Sequence, residues 1–344
     1  MIQPAKPESR GRVEAQRRLE RVEAYKNEVA RVLISVPRET IDLWSIFRDD
    51  SLALTCFLDC LSGKTAVLDV GTFVGVSAFL FASHPSVTHV TTVDPNPLVR
   101  DELQETGGVA GIDDIPEVDG PSRDTRVHDV ARAALERFPE EREKIRIQEG
   151  VITINGTGSK ITIPDPGTHG AERLIAFIDG LHTTEAVRAD IATVFDDRPD
   201  AIVFLDDCRY FWGPFVQAGV AANLERRPEL SFRLVADVSD SLGSCTLGVV
   251  YGKAAAQEVE ETLTRVAEIV TSTFGTLAPS EAWLPLIDRI RQLELELEAM
   301  THERNLARVD ADEARTQLTE IVNSTSWRFV AALGRLWSRP GGRS

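Results

Sequence analysis

Along much of the chain, short runs rich in β-branched residues alternate with stretches whose apolar positions recur every three or four residues. The short runs are Ala66–Val70, Val87–Val93, Ile145–Gln148, Leu174–Ile178, Ala201–Leu205, Phe232–Val235 and Thr246–Tyr251. Stretches of helical period, such as Ser77–Ala82, Val127–Arg137, Glu185–Phe195 and Phe215–Arg226, lie between most of them. Strands alternating with helices predict an α/β fold with a mostly parallel sheet covered on both faces. A Ser/Asp/Gly-rich turn joins the last two runs, which predicts a closing antiparallel pair. Ahead of the first run, Arg10–Leu33 reads as a charged amphipathic helix with Leu19, Val22, Tyr25, Val29 and Val32 on one stripe. A second helical stretch, Ile41–Leu61, is expected to pack against the main domain.

Two segments interrupt the alternation. Asp101–Arg126, rich in Gly, Asp and Pro, reads as a long loop over one sheet edge, either a lid or an unstructured insertion. Gly156–Gly170 is expected to form a small hairpin. From Ile287 to Thr325 glycine and proline vanish and a seven-residue period sets in. One seam holds Ile290, Leu297, Arg304, Ala311, Leu318 and Thr325; the other holds Leu293, Met300, Ala307, Ala314 and Ile321. This predicts a coiled coil that makes the protein a homo-oligomer, the alternative being one long helix lying on the domain. The last stretch is basic and aromatic, with Trp327, Arg328, Phe329, Leu333, Arg335, Leu336, Trp337, Arg339 and Arg343. It could touch an anionic membrane surface or a partner protein, or dock back on the coiled coil. The expected organisation is 1–61 an N-terminal helical extension, 62–254 the ligand-binding domain, 255–286 a helical connector, 287–325 the coiled coil and 326–344 the basic tail.

Composition narrows the choice of partner. The 344 residues carry a formal charge of −16, so phosphate backbones are repelled and nucleic acid is excluded as the main partner. The four cysteines, Cys56, Cys60, Cys208 and Cys245, form no CxxC pair and sit in apolar runs, as buried thiols do. The N-terminal MIQPAKPESRGR lacks the apolar core of a signal peptide, and no stretch has the length and apolarity of a bilayer span. A cytoplasmic protein is expected.

The densest chemical signal is AVLDVGTFVGVSAFLFA, Ala66–Ala82: a buried strand ending in Asp69, a tight loop with Gly71 and Gly75, then a helix. Glycines let the backbone approach a ligand closely, and free N–H groups at the helix start suit polar ligand groups. The two glycines stand four apart and do not spell G-x-G-x-x-G, which weakens a dehydrogenase reading. The acidic-x-G-x-x-x-G loop of S-adenosyl-L-methionine (SAM) methyltransferases fits better. Asp94, at the end of the next run, stands where a carboxylate can accept both ribose hydroxyls.

From about Ser62 to Lys253 the chain resembles class I methyltransferases, and within them a bacterial small-molecule and sugar O-methyltransferase family. The resemblance is carried by VLDVGTFVGVSAF, TTVDPNP, LIAFIDGLHTTEAVRADI and AIVFLDDC. Relatives of that pattern often lack the middle glycine of the loop, as this chain does at Phe73. The resemblance implies a Rossmann-like seven-stranded sheet and methyl transfer to a hydroxyl. SAM would be held by Asp69, Gly71 and Asp94, with Thr72, Phe73 and Gly75 completing the loop.

Asp179 and the Asp206–Asp207 pair end two further runs, and in a parallel sheet those ends open on the edge that carries the ligand loop. Bunched carboxylates raise one another's pKa unless a cation neutralises them, and a hard ion such as Mg²⁺ takes oxygen ligands. The resemblance points the same way, with Asp179, Asp206 and Asp207 matching a metal triad; the alternative is strand-end turn residues and a helix cap. Some relatives place a base two residues beyond the first ligand, where this chain has Leu181. His182, one residue further, is then the candidate base beside Asp179, or a histidine that caps the following helix or bonds Asp179. Arg209 and Tyr210 could contact substrate. His84, His89, His128 and His169 form no ligand-spaced set, and no GxSxG elbow or P-loop is present.

The tail segment STSWRFVAALGRL, Ser324–Leu336, resembles the Ser-x-Ser-Trp-Arg segment that follows coiled coils in bacterial polysaccharide-assembly glycosyltransferases and methyltransferases. The two resemblances together imply a metal-assisted sugar O-methyltransferase of polysaccharide or glycolipid biosynthesis. Its partners would be a glycan acceptor, a second copy through the coiled coil, and a glycosyltransferase or the inner membrane surface through the tail. A small-molecule O-methyltransferase and a non-catalytic scaffold are the rival readings.

Overall fold

The computed structural model describes residues 7–274 apart from 35, 37, 44, 47, 100, 102–124, 151–162, 210, 211, 239–241, 243 and 244. The coiled coil at 287–325, the basic tail and most of the 101–126 loop therefore lie outside the described residues.

Seven strands form one sheet in the order β3-β2-β1-β4-β5-β7-β6. They are β1 (Thr65–Val70), β2 (Val87–Asp94), β3 (Ile145–Glu149), β4 (Arg173–Ile178), β5 (Ile202–Leu205), β6 (Leu230–Leu234) and β7 (Gly248–Gly252). β1 pairs in parallel with β2 and β4, and β2–β3 and β4–β5 are parallel too. β7 runs antiparallel to both β5 and β6, so the expected closing pair is present, with the last strand inserted inside the edge. Every residue of β1, β5 and β7 is buried, which is why their sequences read as unbroken apolar runs.

Helices cover both faces. One core gathers α1 (Pro7–Val32), α3 (Arg48–Cys60), α4 (Val76–Ala82), α5 (Val127–Leu135) and α9 (Ala256–Phe274) against the sheet. The other lies under α7 (Thr184–Asp197) and α8 (Gly213–Arg226). Short helices α2 (Arg38–Leu43) and α6 (Pro139–Lys144) complete the set of described α-helices. The N-terminal helix is part of the core: Tyr25 is fully buried, stacked on Phe79 of α4 at 4.3 Å and edge-on to Phe138 at 5.7 Å.

One local expectation is corrected. Ile41–Leu61 is not one helix but α2 and α3, and between them the Ile46 carbonyl accepts from the buried Lys26 ammonium at 3.5 Å. Of the hairpin expected at Gly156–Gly170, residues 156–162 lie outside the described residues, and the rest contains a 3-10 turn, Pro166–His169, closed by Gly170 at φ 65°. Among the described residues no helix is long and apolar enough to cross a membrane.

Strand order reverses between β1 and β4, and the crevice outside the carboxyl ends of such strands is where ligands settle in open α/β sheets.

Candidate active site

Backbone strain marks the same edge. Among the described residues three non-glycine residues have positive φ: Phe73 at 42°, Asn96 at 59° and Asp207 at 51°. Each follows the carboxyl end of a parallel strand, β1, β2 or β5. Holding a non-glycine residue there costs about 1–3 kcal/mol, and such strain gathers at functional sites.

The loop after β1 is fixed from several sides. Gly71 (φ 101°) packs so tightly that a Cβ would stand 1.8 Å from the main-chain oxygen of Asp179. Asp179 N donates to Val70 O at 2.7 Å, so the ligand loop and the end of β4 are in direct contact. Gly75 (φ 84°) begins α4, and its N–H donates to Thr72 O at 2.7 Å. From below, the Tyr25 hydroxyl donates to Val74 O at 2.9 Å. Asp69 is wholly buried; its Oδ2 accepts from Ser77 at 3.1 Å and Thr92 at 2.6 Å, while Oδ1 has no partner among the described residues. Burial pushes its carboxyl up to about 7, against those two hydrogen bonds. Thr72 is also buried, its hydroxyl 2.5 Å from that of Thr92.

Asp94 ends β2 beside this loop. Its Oδ2 accepts the Phe73 N–H at 3.2 Å and its Oδ1 the Asn96 N–H at 2.6 Å. Burial raises its pKa, and these bonds work the other way. All the sequence-predicted ligand residues, Asp69, Gly71, Thr72, Phe73, Gly75 and Asp94, therefore belong to one cradle or its direct support.

Across the Gly71 contact lies the acid cluster. Asp206 N donates to Ile178 O at 3.0 Å, which sets the end of β5 against that of β4. His182 Nε2 stands 3.5 Å from Asp179 Oδ1 and 3.5 Å from Asp207 Oδ2, the spacing of ion pairs. Burial disfavours the charged ring, but contact with Asp179 and the charges of Asp207 and Asp206 outweigh it and hold the imidazole at about 9. The indole of Trp212 stacks over His182 at 5.5 Å and 24°, a placement that favours a cationic ring. Burial lifts Asp179 to about 7, aided by the charge of Asp206, and lifts Asp206 and Asp207 to about 6. The helix-capping role open to His182 belongs to Thr183, whose side chain accepts from Ala186 N at 3.2 Å.

Asp206 is the most committed of the three acids. Its Oδ1 accepts from Asp207 N at 2.8 Å and from the Thr246 hydroxyl at 2.8 Å. Thr246 in turn meets a residue that sequence reasoning missed, Asp50 of α3: Thr246 N donates to Asp50 Oδ1 at 2.7 Å, and Oγ1 lies 3.0 Å from Oδ2. Nothing in RDDSLAL separates this buried acid from its solvated neighbours. Trp212 was likewise missed, although an aromatic six residues beyond Asp206 was a usable signal.

The oxygen donors of Asp179, Asp206 and Asp207 suit a hard cation in kind. Among the described residues, however, no three His, Cys, Asp or Glu side chains could hold a metal ion as they stand. His182 takes the position between two of the carboxylates. All four cysteines are free thiols. Tyr210 lies outside the described residues, and the Arg209 guanidinium donates to Cys245 O at 3.4 Å.

No protein-family model matches the chain, and no curated protein does. Among solved structures, a Podospora anserina methyltransferase bound to S-adenosylhomocysteine (SAH) aligns with 74% of this chain and 99% of its own, at 14% identity and a TM-score of 0.39. A Klebsiella pneumoniae protein provisionally described as an O-methyltransferase aligns over 73% and 92%, at 12% and 0.37. A cofactor-bound MTB protein aligns over 73% and 99%, at 14% and 0.35. Likenesses this slight carry no argument about function, which rests on the site itself.

Proposed function

We propose that the chain is a SAM-dependent O-methyltransferase whose acceptor is a sugar or glycan hydroxyl. The observation that carries the reading is the contact of Gly71 with the Asp179 main chain, which makes the ligand loop and the acid cluster two halves of one site. The cradle fits the ligand: Asp69 Oδ1 is a buried carboxyl oxygen without a partner among the described residues, and Asp94 is the carboxylate for the ribose hydroxyls. Bound there, SAM supplies a methyl group on a sulfonium leaving group, and its positive charge suits an edge so rich in carboxylates.

The chain's own part is to bind, orient and move a proton. His182 Nε2 is the atom assigned to take the acceptor proton, oriented by Asp179 and Asp207. At a pKa of about 9 the ring is already protonated at neutral pH, so it can serve as base only once the carboxylate charge is taken up elsewhere. A Mg²⁺ ion could take up that charge only if Asp179, Asp206 and Asp207 regrouped from the arrangement described, with His182 leaving its place between Asp179 and Asp207; held there it would also lower the pKa of the acceptor hydroxyl. A second reading is favoured by the position of His182 itself: the imidazolium is the cation of the cluster, the Asp207 carboxylate beside it takes the proton of the acceptor hydroxyl, and transfer needs no metal. The tail resemblance supports the glycan acceptor, self-association through 287–325 and a peripheral contact with the inner membrane surface or a glycosyltransferase.

Calorimetry with SAH, with and without Mg²⁺, tests the reading. Micromolar binding that is lost in Asp94→Ala is expected; no binding under either condition refutes the enzyme and favours a scaffold. Transfer that survives a strong chelator selects the metal-free form.

A further inference from the structure

His128 belongs to no ligand-spaced set in the sequence, and its surroundings make it the least explained buried group among the described residues. It lies in the first turn of α5, wholly buried, and neither ring nitrogen has a hydrogen-bond partner among the described residues. A neutral imidazole carries one donor and one acceptor, so burying both unpaired is costly, whereas a phenyl ring would fill the space without that cost. Packing therefore does not explain a histidine here.

Its position does. Nε2 stands 3.8 Å from Asp94 Oδ1, too far for a hydrogen bond but close enough for one hydroxyl oxygen to reach both. The placement is built into the backbone. His128 N donates to Asn96 Oδ1 at 3.1 Å, Asn96 Nδ2 donates to Glu149 Oε2 at 3.0 Å, and Arg126 Nη1 donates to Asn96 O at 2.7 Å. Val127 N donates to Pro97 O at 3.1 Å. The strained Asn96 thus ties the start of α5 to the carboxyl end of β2. Asp94 keeps 8% of its surface exposed at this edge, and the wholly buried His128 stands behind it. Burial lowers the pKa of His128 against the charges of Asp94, Glu149 and Asp129, with Arg132 assisting; the ring is a neutral donor and acceptor.

We propose that His128 is a further ligand-binding residue of the cofactor site, its Nε2 sharing with Asp94 the recognition of a vicinal diol such as that of a ribonucleoside. The proposal rests on the SAM reading and adds to it a residue that its sequence pattern does not contain. It also accounts for an unpaired imidazole being kept where an apolar ring would be more stable.

The test is His128→Phe, read by SAH affinity and thermal midpoint together. The expected result is binding weakened about five- to tenfold, the worth of one uncharged hydrogen bond, with a midpoint equal to or above that of the unsubstituted protein. A purely structural histidine would leave affinity within twofold, and that outcome overturns the proposal while leaving the SAM reading standing. His128→Gln, which keeps a polar group, should recover part of the affinity if the phenylalanine variant folds poorly. In the Asp94→Asn background His128→Phe should cost less than it does alone, because both residues address one diol; full additivity counts against the shared contact. Absence of SAH binding by the unsubstituted protein overturns the cofactor reading and this proposal with it.

Discussion

Asp50 offers the sharpest check on the electrostatics of the site. The Thr246 hydroxyl has one proton, yet it lies 3.0 Å from Asp50 Oδ2 and 2.8 Å from Asp206 Oδ1. Both carboxylates cannot be acceptors from it, so one must supply a proton. Each carboxylate also accepts one backbone N–H, so those bonds do not choose between them, but Asp50 is raised well above the usual carboxylate range by burial and by the charge of Asp206. The proton therefore sits on Asp50, which donates to Thr246, which donates to Asp206. Asparagine reproduces this pattern: its oxygen accepts from Thr246 N and its amide donates to Oγ1. Asp50→Asn should cost less than about 1 kcal/mol at pH 7, whereas Asp50→Ala strands a buried N–H and a hydroxyl and should cost about 3 kcal/mol. Urea unfolding at pH 5 and pH 8 would measure both. A group whose folded pKa is raised lends stability that is complete below its unfolded pKa and is lost as pH rises through the folded one. Asp50→Asn should accordingly gain on the unsubstituted protein as pH rises. If Asp50→Asn costs as much as Asp50→Ala at pH 7, the acid is ionised and the proton assignment is wrong.

Asp190, buried on α7 with its carboxyl raised to about 7 by burial alone, should make stability fall between about pH 4 and pH 7. Relative to Asp190→Asn, the fall is at most about 4 kcal/mol, and parallel pH profiles from thermal unfolding would show that the group is solvated. Gly71→Ala sets a Cβ against the Asp179 carbonyl at a φ of 101°. It should abolish SAH binding and cost about 2 kcal/mol or more; normal affinity by calorimetry would mean that the loop and β4 can separate freely.

The alternation of apolar runs was enough to read the sheet because burial on both faces leaves an unbroken signature, and the strands fall where those runs stand. Ends were less legible. The run Thr246–Tyr251 becomes a strand only at Gly248, since Thr246 N turns to Asp50 and away from the ladder. The Ile41–Leu61 period continues through a break at which the Ile46 carbonyl is bonded to Lys26, a contact to α1 that no local pattern encodes. Glycine and proline around Pro166 announced a turn but not which turn. At the site, the carboxylates and the glycine loop were legible because strand ends and loop spacing locate them. Asp50 and His128 were not, because each acquires its meaning from a neighbour far along the chain: Thr246 for one, Asp94 for the other.

Thr246 also dictates when the domain can be finished. It joins an acid from residue 50 to one from residue 206 and lies just before β7, the strand that slots between β5 and β6. During synthesis β5 and β6 leave the ribosome with the place between them unfilled, and the acids at the end of β5 have no hydroxyl to share. Only after about residue 252 can that edge close. Contacts between the ends of a domain are costly in loop entropy and slow to form. The link from Asp50 through Thr246 to Asp206 thus closes only with β7 in place, and a chain that stalls before β7 carries Asp206 without the hydroxyl that orients it.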